Sequence, residues 1–318
     1  MNLLNVLTTV YGKLHNYPGI PFWLLTPFRK IVRSIANVVL PAYLERKHKV
    51  FLLNGHGVIV SFTSFPARIQ DVWKVVESLK NQTICPDKIL LWLSKDQFPS
   101  KENVPHRLIE CEDDLFEIRM VDGNIRSHKK YFYAMREFPR STIITCDDDI
   151  YYHPKMLESL IKTGKKYPGC IIANVTKQML FDGNGDLLPY YKWNGDFKPF
   201  SSLNNVQIGA GGVLYPPGSL HKFVLKKDLF SKLAPLADDL WLNCMARLQK
   251  TPVIQTDFNV LPLGIESLAP SLSSVNNGQE DMNDKQISQM SDWLKTDNLQ
   301  NVFHKSYIVE YQNGGGKL

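Results

Sequence analysis

Ser141-Thr-Ile-Ile-Thr-Cys-Asp-Asp-Asp149 is the stretch on which the fold turns. An apolar run of strand character ends in three consecutive aspartates. Aspartate is a poor strand former, and three adjacent negative charges repel one another, so the segment calls for a positive partner. A divalent cation holding a phosphorylated substrate meets that need, because hard Mg²⁺ or Mn²⁺ prefers carboxylate oxygens and bridging phosphates. An acidic turn capping the next helix is the plainer alternative, but a cap uses one carboxylate and not three.

Upstream of the triplet the pattern alternates. Val58-Ile-Val-Ser-Phe-Thr63 reads as a buried strand, and Ile69, Val72, Trp73, Val76 and Leu79 make the apolar stripe of a helix. Lys88-Ile-Leu-Leu-Trp-Leu93 and Glu117-Ile-Arg-Met-Val121 are further strands, residues 131–137 a short helix, and residues 141–146 a fourth strand. Downstream, a helix follows Pro154 to about Lys166, Cys170-Ile-Ile-Ala-Asn174 is a strand, and residues 237–248 and 284–294 are helical. Residues 182–218 are rich in Gly, Asn, Pro and aromatics and read as loops and short strands framing a pocket; residues 270–282 are polar. The rhythm is that of an α/β, doubly wound, mostly parallel sheet. Such sheets bind ligands beyond the carboxyl ends of their strands, where the triplet sits.

Four other segments carry candidate chemistry. Gly123-Asn-Ile-Arg-Ser-His-Lys-Lys130 sets Arg126, His128, Lys129 and Lys130 ahead of the acidic strand, suited to a metal-bound diphosphate or simply a solvated loop. Ser61-Phe-Thr-Ser-Phe-Pro-Ala-Arg68 ends a strand in hydroxyls and opens a helix with arginine, a place for a nucleotide. It has neither a G-x-G-x-x-G fingerprint nor a Walker loop, which excludes NAD and P-loop nucleotides. Gly209-Ala-Gly-Gly-Val-Leu-Tyr-Pro-Pro-Gly218 is either a close backbone approach to a ligand or a plain turn. Ala237-Asp-Asp-Leu-Trp-Leu242 opens an apolar helix with two acids: one can cap it, the other can act as a general base on a sugar hydroxyl.

The 318 residues, 44% hydrophobic and 21% charged, suit one large domain or two modest lobes. Five scattered cysteines with no CxxC pair indicate free thiols in a reducing cytoplasm, and the sequons at Asn81 and Asn174 then have no role. A net charge of +6, matched by acids at the expected site, argues against nucleic acid. No transmembrane helix and no signal peptide are expected. Residues 1–48 stand apart: Phe28, Ile31, Val32, Ile35, Val38 and Val39 share one helical face, with Arg29, Lys30, Arg33, Ser34 and Asn37 elsewhere, between Pro27 as the start and Pro41 as the stop. Such a basic amphipathic helix either lies in an anionic membrane surface, helped by Arg46, Lys47 and Lys49, or docks on the protein's own core.

Taken in order over residues 57–250, these segments resemble the GT-A-fold glycosyltransferases, specifically bacterial enzymes that build surface polysaccharides. The resemblance rests on Ile59-Val-Ser-Phe-Thr-Ser-Phe-Pro-Ala-Arg-Ile69, Leu90-Leu-Trp-Leu-Ser94, His128-Lys-Lys-Tyr131, Ile143-Ile-Thr-Cys-Asp-Asp-Asp-Ile-Tyr-Tyr152, Gly209-Ala-Gly-Gly-Val-Leu-Tyr-Pro216 and Ala237-Asp-Asp-Leu-Trp-Leu242. It implies a GT-A-type sheet with acceptor-side loops and a C-terminal helical segment. The catalytic domain would span residues 49–269, nucleotide-binding over 49–150 and acceptor-binding over 151–269, with a helix and tail over 270–318. It implies a UDP- or GDP-sugar donor, Mn²⁺ or Mg²⁺, and a glycan or lipid-linked glycan acceptor, handled in the cytoplasm or on the inner membrane face. By the same resemblance Asp147 and Asp149 hold ribose and metal, with Asp148, Thr63, Arg68, Lys129 and Lys130 around the nucleotide. In an inverting member Asp239, with Asp238 beside it, would be the base; in a retaining one the acid pair would have another task. Gly211, Gly212 and Trp193 are expected at the sugar pocket, where Tyr190, Tyr191 and Trp193 either stack on sugar faces or serve as core or lid residues. The family's acidic pair reads Glu-Asp, here Asp-Asp. His304 is the one candidate for a C-terminal metal histidine, in an undiagnostic context. The alternatives are a metal-dependent phosphohydrolase, disfavoured by Ile150-Tyr151-Tyr152 after the acids, and a non-catalytic sugar- or calcium-binding module.

Overall fold

The computed structural model describes residues 2–15, 19–46, 57–193, 201–258, 260–266 and 281–307. The chain opens with helices Leu3–Lys13 (α1) and Phe22–Leu44 (α2). Val58–Thr63 (β1), Val72–Lys80 (α3), Lys88–Ser94 (β2), His106–Ile109 (α4), Phe116–Val121 (β3), Lys129–Glu137 (α5) and Thr142–Thr145 (β4) follow. The second half comprises Ile150–Tyr151 (β5), Met156–Lys166 (α6), Ile171–Ala173 (β6), Thr176–Gln178 (β7), Ser201–Ser202 (β8), Asn205–Gln207 (β9) and Val213–Tyr215 (β10). It ends with Lys227–Leu233 (α7), Asp238–Leu248 (α8), Val253–Gln255 (β11), Leu263–Gly264 (β12) and Met282–Thr296 (α9).

The main sheet runs β3-β2-β1-β4-β10-β6-β11-β8. Strands β1 to β4 are mutually parallel, and β6 and β11 share their direction. Strands β10 and β8 run the other way, a departure from the βαβ rhythm of the first half. The apolar runs of β1 and β2 are buried along nearly their whole length, as strands covered on both faces must be. From β1 the chain moves outward to β2 and β3, then returns to place β4 on the other side of β1. The carboxyl ends of β1 and β4 therefore border a topological switch point, and Asp147-Asp148-Asp149 begins there. Because β10 is antiparallel to β4, with Val213 opposite Thr145, its starting turn Gly209–Gly211 lands at the same edge.

One buried cluster joins the sheet to α3 and α6 and takes in Leu4, Tyr11, Ala36, Leu40 and Leu44 of the first two helices. A second gathers α5, α7, α8 and α9 around Trp241 and Phe230. Helix α2 passes through both Pro27 and Pro41 rather than lying between them. Each proline removes one helical hydrogen bond near an end, and burial of Leu25, Ala36, Leu40 and Leu44 holds the helix through the loss. The apolar stripe at Phe28, Ile31, Ile35, Val38 and Val39 faces outward; only Val32 of the expected face packs against the core. Helix α1 was not anticipated; it crosses so close to Val260 and Leu261 that a Cβ on Gly12 would stand 2.9 Å from their backbone. Lys47, Lys49, most of the polar stretch 270–282, and the Gly-rich tail lie outside the described residues.

Two glycines of the 209–218 segment are there for packing. A Cβ on Gly211 would stand 2.9 Å from the Val175 amide nitrogen, and Gly212 has φ +81° with Met156 Sδ at 2.8 Å from its missing Cβ. Gly211→Ala should therefore lower stability by about 1–3 kcal/mol, measured by urea denaturation.

Candidate active site

The end of β1 turns through residues 64–68, and Arg68 swings back over the acids. Its Nη1 lies 2.8 Å from both Asp148 Oδ1 and Asp149 Oδ2. Ser64 Oγ donates to the other oxygen of Asp148 at 2.5 Å. Asp148 is thus buried and fully engaged, a residue that positions the arginine. Burial pushes its carboxyl up, against the pull of Arg68 and Ser64. Asp149 keeps an exposed side; burial and then the charge of Asp147 push it up to about 6, against Arg68.

Lys130 is the second buried cation. Its Nζ lies 2.9 Å from Asp147 Oδ1 and 2.8 Å from Asp238 Oδ2. Burial works against its charge, yet Asp147 and Asp238 raise it well above the ordinary lysine value. Residues 91 apart in sequence are therefore joined through one ammonium. Ser61 Oγ fixes the start of α5 by donating to the Lys130 carbonyl at 2.5 Å, and Trp92 Nε1 donates to that hydroxyl. Asp147 N–H donates to Tyr152 Oη at 2.7 Å, which pins the triplet's backbone.

At the N-terminus of α8 the two acids diverge. Burial opposes the charge of Asp238, but the Lys130 ammonium beside it holds it below the usual carboxylate range. Burial, then the charge of Asp238, pushes Asp239 up to about 7. Asp239 Oδ2 accepts from Gly209 N–H at 3.0 Å, while Oδ1 is buried without a hydrogen-bond partner. A Cβ on Gly209 would meet Lys130 Nζ at 3.0 Å, Asp147 Oδ1 at 3.1 Å and Asp239 Oδ1 at 3.3 Å. Gly209, rather than Gly211 or Gly212, is the glycine of this site.

The other expected residues are placed as follows. Thr63 Oγ1 donates to Trp92 O at 2.7 Å. Lys129 is buried, donates to Asn124 Oδ1 at 3.0 Å, and is lowered by that burial to about 8. His128 contributes no charge: its ring stacks 4.4 Å from Phe230, its nitrogens meet Tyr131 Oη and the Ala234 carbonyl, and burial lowers it to about 4. Arg126 is exposed. Trp193 is buried, its indole donating to Leu188 O, so it is a wall and not a stacking platform; Tyr191 is exposed and Tyr190 carries Lys177 Nζ 3.9 Å from its ring centre. His304 keeps company with Ser306, Gly185 and Asp186. Ser64, Tyr152 and Gly209 also belong to the site, although no local sequence pattern marks them out.

A divalent cation fits Asp147 and Asp149. Both offer hard, partly exposed oxygens, Asp147 beside Lys130 and Asp149 beside Arg68. Among the described residues no group of three His, Cys, Asp or Glu side chains could hold a metal alone. Phosphate oxygens and water would fill the remaining positions, as Mg²⁺ commonly prefers.

No family model matches the chain, and no curated protein matches it by sequence. Solved structures match loosely in fold. The 4-diphosphocytidyl-2C-methyl-D-erythritol synthase of Anaerococcus prevotii is 15% identical with a TM-score of 0.40, over 73% of this chain and 95% of its own. An apo UDP-glucose pyrophosphorylase is 10% identical with a TM-score of 0.38, over 66% and 94%. A UTP-bound UGPase of Acinetobacter baumannii is 9% identical with a TM-score of 0.35, over 66% and 90%.

Arg68→Met leaves Asp148 buried beside Asp149 without a cation. The loss should be about 3–5 kcal/mol, read by chemical denaturation, with Arg68→Lys intermediate.

Proposed function

We propose that the chain is a metal-dependent glycosyltransferase, moving a sugar from a UDP- or GDP-sugar to a hydroxyl of a glycan or lipid-linked glycan in surface-polysaccharide synthesis. The observation that carries this reading is the bridge of Lys130 between Asp147 and Asp238, with the free oxygen of Asp239 alongside. Donor-side and acceptor-side carboxylates then share one small volume, as transfer between two bound molecules requires.

Asp149 and Asp147 would hold a divalent cation, which would supply neutralising charge for a departing diphosphate. Lys130, Arg68 and the buried Lys129 add fixed positive charge from the protein itself, preorganised where negative charge grows. Asp238, held ionised by Lys130, keeps its neighbour's proton affinity high. Asp239 accepts the proton of the acceptor hydroxyl, and a value near 7 suits a base at neutral pH. Attack from the face opposite the leaving group inverts the anomeric centre. Tyr190 and Tyr191 are the aromatic surfaces offered to the acceptor sugar in place of Trp193.

Asp149→Ala should abolish transfer from UDP- and GDP-sugars with Mn²⁺ while leaving the melting temperature near that of the unaltered protein; near-normal turnover defeats the proposal. Asp239→Asn should cut turnover by about a hundredfold to ten-thousandfold. The ionised form of Asp239 is the active one, so the rate should rise with pH through about 7 and level above it. Release of pyrophosphate from a nucleoside triphosphate and a sugar phosphate, with no nucleoside diphosphate formed from nucleotide sugars, would replace glycosyl transfer by nucleotidyl transfer.

A further inference from the structure

Helix α2 presents an apolar stripe to solvent. Trp23, Leu24, Phe28, Ile31, Ile35 and Val38 are all exposed, Val38 at 77% and Trp23 at 69%. From Leu24 to Val38 they recur at helical spacing, a continuous strip roughly 20 Å long at 1.5 Å per residue. Soluble surfaces rarely carry such strips without a partner. The opposite face of the same helix is already seated on the core.

We propose that this stripe seats the protein on an anionic lipid surface, with α2 lying flat in the headgroup region. Charge selects the occupant. Residues 1–44 include Lys13, Arg29, Lys30 and Arg33 and no Asp or Glu. Lys30 is exposed beside the stripe. Among the described carboxylates at the flanks of α2, Glu45 pairs with Arg107 and Glu266 accepts from the Ser34 hydroxyl. Residues 1–44 of a second copy would offer no carboxylate to Lys30. Trp23 at one end has the amphipathic ring suited to a headgroup boundary. No helix among the described residues is long and apolar enough to cross a membrane, so the stripe lies on a bilayer and does not span it.

The helix is also tied to the catalytic edge. Asn37 Nδ2 donates to Gly264 O, Glu266 N–H donates to Asn37 Oδ1 at 2.9 Å, and Ile265 N–H donates to Asp149 O at 2.7 Å. A lipid surface under α2 thus adjoins the strand pair β5–β12 that continues the acidic triplet.

Deleting the N-terminal helices would strip Leu4, Ala36, Leu40 and Leu44 from the core, so the test uses surface substitutions in the full chain. Co-sedimentation is measured with vesicles of phosphatidylcholine alone and of phosphatidylcholine mixed with phosphatidylglycerol. The unaltered protein should bind the mixed vesicles and weaken with salt. The Ile31→Glu/Val38→Glu double variant should partition about tenfold less or lower, at unchanged melting temperature, and Lys30→Glu should weaken binding to the mixed vesicles alone. No binding by the unaltered protein, undiminished binding by the double variant, or equal binding to both vesicles overturns the proposal. So does a dimer, by light scattering, that the double variant dissolves: the stripe would then join two copies. The assay contains no sugar donor, so its outcome is separate from that of the glycosyl-transfer reading.

Discussion

A single buried ammonium organises this molecule. Lys130 cannot stay charged at 4% exposure without close carboxylates, and the two that hold it come from opposite halves of the chain. Asp147 follows β4 and Asp238 begins α8. Asp238 could not be buried so near Asp147 without the lysine. The second cation, Arg68, does the same for Asp148 and Asp149. Five aspartates are thereby concentrated at one sheet edge, with two of them, Asp149 and Asp239, left holding protons more tightly than isolated carboxylates do. Burial raises both carboxyls, and the charge of the neighbouring aspartates adds to it.

The topology explains why the charges meet. In a purely parallel sheet the chain would enter each new strand at the edge away from the acids. The reversal at β10 delivers Gly209 directly beside Asp147, and the absence of a side chain there lets Lys130, Asp147 and Asp239 close around it. Helix α8 then needs only to begin at this edge for its first two residues to complete the cluster.

Much of the scaffold was legible because strands β1 and β2 are buried on both faces and read as nearly unbroken apolar runs, and because α3 and α6 carry clear helical stripes. The acid segments were legible for a different reason: charge clusters at strand and helix ends have few cheap structural explanations. What could not be read was orientation. The spacing that defines a face on α2 is the same whether that face turns in or out, and here the inward side is made of Leu25, Ala36, Leu40 and Leu44 with polar anchors Arg33 and Asn37 between them. Likewise Gly209, Gly211 and Gly212 are identical letters, and only their distances to Val175, Met156 or Lys130 separate packing from chemistry. Trp193 and His128 show the same limit. Each is a functional-looking residue whose polar atoms are satisfied by neighbouring carbonyls or hydroxyls that no local pattern announces.

The counter-running strand has one more consequence. Because β10 enters the sheet at the acidic edge, it leaves at the far rim, where Tyr215 pairs with Ile143 and the Pro-Pro-Gly turn of residues 216–218 begins. That rim can accept insertions, a longer hairpin or a tethered label without disturbing the chemistry. One residue added between Gln207 and Val213 would instead fall in the turn that holds Gly209, where even a Cβ would meet Lys130 Nζ at 3.0 Å and Asp147 Oδ1 at 3.1 Å.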